Sequence, residues 1–196
     1  MHPLWVRLPH WLSAAALGVM VPSGWLIYNA SPIYGWLRFP DGLTMGRWLG
    51  GGLQWHFAAM WAFGVGTVFY LTTNLATGRW RRQFLPLSPR VVWRELVLAL
   101  RGQLHHDRTT RYNMLQKLAY LGVIAAQWVA LLSGLAIWKS VQFPGLRELM
   151  GGYDQARVVH FLAMAVIVGF VLLHLAMVAL VPRSLGAMVH VAVRQR

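Results

Sequence analysis

The chain has 196 residues, 57% of them hydrophobic and 12% charged, with a formal net charge of +13; a soluble domain carries about a quarter charged residues, so a water-soluble globular fold is not expected. The lack of cysteine removes disulfides, thiolate zinc sites, iron–sulfur clusters and thioether-linked c-type haem, and five Asp plus Glu leave few carboxylates for any metal. Eighteen Lys and Arg would suggest a nucleic-acid partner in a soluble protein, but in a membrane chain they mark cytoplasmic loops, and no nucleic acid is expected.

A helix needs about 20 apolar residues to cross the hydrocarbon core. Four stretches without Asp, Glu, Lys or Arg meet this, between Arg7 and Arg38, Arg47 and Arg79, Lys117 and Lys139, and Arg157 and Arg183. They predict an all-α, four-transmembrane-helix bundle, a single domain over 1–196, with spans at about 10–29, 53–75, 115–138 and 158–181. The first stretch contains Ala14-Ala15-Ala16, which resembles a signal-peptide cleavage site. Apolar sequence runs well past it, so it reads as a retained span. Between the second and third spans comes a long loop, 76–111, broken at Leu85-Pro86-Leu87-Ser88-Pro89 and then predicted helical over 91–100. Arg90, Arg94 and Arg101 share one face of that helix, which suits an anionic membrane surface and equally a solvated connector. The loops at 31–46 and 140–153, rich in Pro, Gly and aromatics, are long enough to dock another protein.

With four spans, both termini and the 76–111 loop share a side. Arg38, Arg47, Lys139, Arg147 and Arg157 fall on the opposite side and the other thirteen basic residues on the first. The positive-inside rule therefore predicts cytoplasmic N- and C-termini.

Of the eight histidines, His2, His105, His106 and His190 sit in polar segments, whereas His10, His56, His160 and His174 lie in or at the ends of the apolar stretches. His160 and His174 are fourteen residues apart, hence within about 40° of one helix face but about 21 Å apart along its axis, and cannot bind one metal ion. Helix direction places His56 and His160 near the outer surface, His10 and His174 near the inner one. Two imidazoles from facing helices at each of two depths fit two bis-histidine b haems, His56/His160 outer and His10/His174 inner. Zinc would need further ligands at each level. Gly18, Gly64, Gly66, Gly122, Gly134 and Gly169 could admit flat macrocycles or serve close helix packing. Arg157, three residues before His160, is a candidate partner for a haem propionate and equally an interfacial anchor.

Histidine on the first and second spans, none on the third, and His-x13-His on the fourth resemble the membrane cytochrome b subunits of respiratory oxidoreductases. These include nickel–iron hydrogenases, formate dehydrogenase and thiosulfate reductase, and the bacterial cytochrome b561 proteins share the layout. Arg111-Tyr112-Asn113-Met114-Leu115-Gln116-Lys117 and Arg7-Leu8-Pro9-His10-Trp11 look most like the thiosulfate-reductase type. The resemblance implies a bacterial inner-membrane electron-transfer subunit linking a quinone to a partner oxidoreductase on the periplasmic side, a molybdenum enzyme. It also implies a quinone site beside the inner haem. There Asn113, Gln116 and Lys117 supply hydrogen-bond groups, although such residues also cap and anchor a helix start. A stand-alone cytochrome b561-like superoxide:quinone oxidoreductase would show the same histidines.

Overall fold

A computed structural model describes residues 4–85, 87–101, 113–180 and 188. His2, His105, His106, His190, Arg108, Arg111 and the basic residues from Arg183 onward lie outside the described residues, as does part of the 76–111 loop. The described residues form seven α-helices and one 3-10 turn, with no strand among them: α1 (Leu4–Ala30), the turn Asp41–Leu43, α2 (Leu49–Ala76), α3 (Arg79–Phe84), α4 (Pro89–Leu100), α5 (Met114–Trp138), α6 (Pro144–Leu149) and α7 (Tyr153–Leu180).

Three helices, α1, α5 and α7, are long and apolar enough to cross a membrane. Their apolar surface is not confined to one stripe: on α7 Leu162, Val166, Leu172, Leu173, Leu175 and Leu180 are all exposed. A helix apolar all round is at home in lipid. α2 equals α7 in length at 28 residues and carries no charge, but its glycines, threonines, Gln54, His56 and Asn74 dilute its hydropathy. The expected span at 10–29 lies within a helix that starts six residues earlier, at Leu4, ends at Ala30 and includes Pro9 and Pro22.

The four long helices pack as two pairs. α1 lies along α2, and α5 along α7, while backbone contact between the pairs is sparse. Small residues make each seam close. A Cβ on Gly52 would come 3.0 Å from Leu26 Cδ2, and one on Gly66 2.8 Å from Ser13 Oγ, so both glycines serve α1–α2 packing. The other seam is built from Ala126 and Ala130 of α5 against Ala163 and Ile167 of α7, with Leu17 of α1 reaching across to it.

The loop after α2 turns at Gly78, whose φ of 61° is the left-handed conformation that glycine takes without a Cβ penalty. α4 begins with Pro at its first turn, as the Pro break predicts. Its Arg90, Trp93 and Arg94 are exposed. From the same helix Glu95 Oε2 accepts the Leu115 N–H at 2.9 Å, an anion at the positive end of α5. The 31–46 loop folds back on the bundle rather than hanging free. Asn29 clamps Phe39 through both of its amide atoms, at 2.8 and 3.0 Å, and Phe39 stacks on Trp25 at 4.6 Å.

Candidate functional site

The two helix pairs face each other across four imidazoles. His56 of α2 stands against His160 of α7 with ring centroids 6.3 Å apart and planes at 71°. His10 of α1 stands against His174 of α7, also at 6.3 Å, with planes at 62°. α7 thus contributes one ring to each pair, and α5 contributes none. No group of three or more His, Cys, Asp or Glu side chains gathers among the described residues, so the rings come as twos.

In the His56/His160 pair each ring is gripped from its neighbouring helix. His56 Nδ1 lies 3.1 Å from the Met20 carbonyl and 3.2 Å from Ser23 Oγ on α1. His160 Nδ1 lies 2.9 Å from the Ala130 carbonyl and 3.0 Å from Ser133 Oγ on α5. A carbonyl oxygen only accepts, so Nδ1 carries the proton in both rings and Nε2 keeps its lone pair. A neutral imidazole presented through Nε2 is a metal ligand. Glycines complete the fit: a Cβ on Gly24 would sit 3.3 Å from His56 Cε1, and one on Gly134 3.2 Å from His160 Cε1. Of the six glycines marked in the sequence, only Gly134 lies beside an imidazole. Gly18, Gly122 and Gly169 face open space, and a Cβ on Gly64 would meet only Leu131, at 3.6 Å.

Ser23, Ser133 and Gly24 escape a reading based on histidines. A serine inside a helix ordinarily bonds its own preceding turn. The available signal is the dipeptide Ser-Gly, present on the first span as Ser23-Gly24 and on the third as Ser133-Gly134.

Aromatic rings enclose both levels. Tyr28 of α1 and Tyr34 of the 31–46 loop meet Phe161, the residue after His160, at 5.0 and 5.9 Å, which brings the loop onto α7 next to His160. In the His10/His174 pair His174 stacks on Phe170 at 5.9 Å and His10 meets Trp11 edge-on at 5.2 Å. Arg7 Nε and Trp11 Nε1, flanking His10 on α1, both donate to the Met188 carbonyl, at 2.8 and 3.2 Å.

The remaining residues singled out in the sequence have visible structural work. Arg157 Nη2 donates to the Ser31 carbonyl and, at 3.3 Å, to Ser31 Oγ, tying α7 to the end of α1, and Arg157 Nη1 reaches Asp154 at 3.9 Å. Asn113 and Gln116 form a reciprocal capping box at the start of α5, in which Gln116 Oε1 accepts the Asn113 N–H at 3.2 Å. Their amide NH2 groups are not used by the box. Lys117 sits on the first turn of the same helix, half-buried.

Comparison with known proteins agrees with a bundle that presents paired imidazoles. A protein of Azospira oryzae named as YedZ1, a subunit of a protein-methionine-sulfoxide reductase, is 53% identical over 188 residues, covering 96% of this chain and 94% of its own. No solved structure matches the chain. The family model described as prokaryotic cytochrome b561 matches residues 1–190, from before His10 to beyond His174, and this chain belongs to that family of haem-carrying electron-transfer proteins.

Proposed function

We propose that the chain is a four-span, di-haem subunit that carries electrons across the bacterial inner membrane between the quinone pool and a partner oxidoreductase on the periplasmic side. The observation that carries this reading is the equal 6.3 Å spacing of both imidazole pairs. A metal–imidazole bond of about 2 Å, plus about 1.1 Å from nitrogen to ring centre, would set two imidazoles sharing one metal atom about 6.2 Å apart, close to the observed spacing. Buried indole N–H groups of Trp25 and Trp128 have no partner among the described residues, leaving donors for the polar edge of a bound group. In this reading α2 is the fourth span, His56 and His160 hold the outer haem, and His10 and His174 hold the inner one.

Bound haem supplies one-electron chemistry at each depth. The chain's own residues hold imidazoles in the ligating tautomer, keep water from the outer level with Tyr28, Tyr34 and Phe161, and separate the two levels by α7. At the inner level Asn113, Gln116 and Lys117 lie at the start of α5, where their remaining N–H donors suit quinone carbonyls. Arg157 serves first as a clamp on the end of α1, and pairing with a propionate would require it to release Ser31. The name of the Azospira relative supports methionine sulfoxide in proteins as the substrate of the partner, which on the family resemblance is a molybdenum enzyme. The loops 31–46 and 140–153 flank the outer pair and are assigned as its docking face.

Purification in mild detergent tests the function: two b haems per chain and a co-purifying redox subunit are expected. A lone chain that exchanges electrons between superoxide and quinone would overturn the subunit reading in favour of a stand-alone oxidoreductase. Orientation has its own test. A green fluorescent protein fused at the C-terminus is expected to fluoresce and an alkaline phosphatase fusion to be silent; an active phosphatase would reverse the assigned sides.

A further inference from the structure

The grip on the two outer imidazoles repeats the same three-residue device on two different helices. On α1 it is Met20, Ser23 and Gly24; on α5 it is Ala130, Ser133 and Gly134, at the same intervals of three and four residues. In each the first residue offers a carbonyl, the second a hydroxyl, and the third the missing Cβ that lets the ring lie against the helix. Both serines are 0% exposed. Each hydroxyl proton is committed to its own helix, Ser23 Oγ donating to the Val19 carbonyl at 2.7 Å and Ser133 Oγ to the Val129 carbonyl at 2.6 Å. Each oxygen is therefore left as an acceptor towards the histidine of the neighbouring helix.

We propose that Ser23 and Ser133 are positioning residues that set the electron donation of the outer imidazoles, each oxygen sharing with a backbone carbonyl the Nδ1 proton of His56 or His160. The proposal rests on the reading of His56 and His160 as axial ligands. A second acceptor on Nδ1–H draws the proton away from the ring, raises the basicity of Nε2 and favours the more positive, ferric state of a bound iron. A serine that merely filled helix-to-helix space would not affect that balance. The fixed ring orientation is the other part of the device, because a hydroxyl beside the carbonyl limits rotation about the Cβ–Cγ bond.

Full-length holoprotein carrying Ser23→Ala or Ser133→Ala is titrated spectroelectrochemically, following each haem separately. Each change is expected to lower the oxidised-to-reduced ratio of the outer haem at fixed ambient potential by about threefold, in line with one hydrogen bond of modest net worth. The double variant is expected to lower it about tenfold, which is about 59 mV for one electron. Haem content and the inner-haem ratio stay as in the parent. Ser23→Thr and Ser133→Thr, which retain the hydroxyl, are expected to restore the parental ratio. Loss of outer haem from an alanine variant with recovery in the threonine variant supports the same role. An unchanged outer ratio, a shift confined to the inner haem, or threonine variants that behave like alanine would overturn it. Persistence of both haems after His160→Ala would instead remove the ligand reading beneath it, a separate failure seen in haem content rather than in potential.

Discussion

Replacing His160 with Ala is expected to abolish the outer haem and leave the inner one, and His174→Ala to do the reverse. Each change should halve the haem content per chain, read by pyridine haemochrome, and remove one component of the reduced-minus-oxidised spectrum. The independence follows from α7. The two rings it carries are about 21 Å apart along the axis, so neither can substitute for the other. Their partners also come from different helices, His56 from α2 and His10 from α1. The Ala126, Ala130, Ala163 and Ile167 seam between α5 and α7 meets His160 only through the Ala130 carbonyl, and its apolar contacts do not depend on either ring, so the bundle should survive either truncation. Loss of both haems from a folded protein, or of neither, would refute the pairing.

Asn113 carries the second large expectation. Its capping role and its proposed quinone role use different atoms, which makes them separable. Asn113→Leu removes both the cap acceptor and the amide donor; Asn113→Ser keeps a cap of similar quality but withdraws the amide from the quinone. Both variants should slow reduction of the inner haem by quinol roughly fivefold, the value of a hydrogen bond of about 1 kcal/mol. Only the Leu variant should also lose about 1 kcal/mol of stability. Slowing in Leu alone would mean that the helix start matters and the amide does not. Unchanged kinetics in both would move the quinone site away from the start of α5, with the outer level next to be searched.

The long helices were legible because lipid imposes a simple rule: a stretch without charge and of sufficient length forms one. α1, α5 and α7 follow it, and the Pro break correctly announced α4, whose start at Pro89 lies two residues ahead of the expected one. α2 obeys the charge rule but not the hydropathy rule, since Gly52 and Gly66 are spent on contact with α1 and Thr67 and Asn74 are buried in the bundle. The contact partners were less legible. Depth alone places His56 level with His160, but the sequence does not say that α1 grips one ring and α5 the other, because that depends on which helices lie side by side. Gly66 shows the same limit. On the sequence it could have admitted a macrocycle, whereas its place against Ser13 makes it a packing residue of the α1–α2 seam. Asn113 and Gln116 are legible twice over, as a cap and as a ligand-facing pair, and the capping box is the part that the backbone geometry expresses.

α7 is the last of the four long helices to leave the ribosome, and it supplies half of each imidazole pair. α1 and α2 can settle against one another as soon as both are synthesised, but His10 and His56 then lack the partner rings that α7 brings. On the proposed ligation, pigment is acquired only at the end of biogenesis, when the final hairpin arrives and brings both missing rings at once. A chain that stalls after α5 would be inserted yet colourless, and free haem would meet only solitary imidazoles on it. On that ligation the shared helix would couple the capture of a redox-active pigment to the presence of all four long helices.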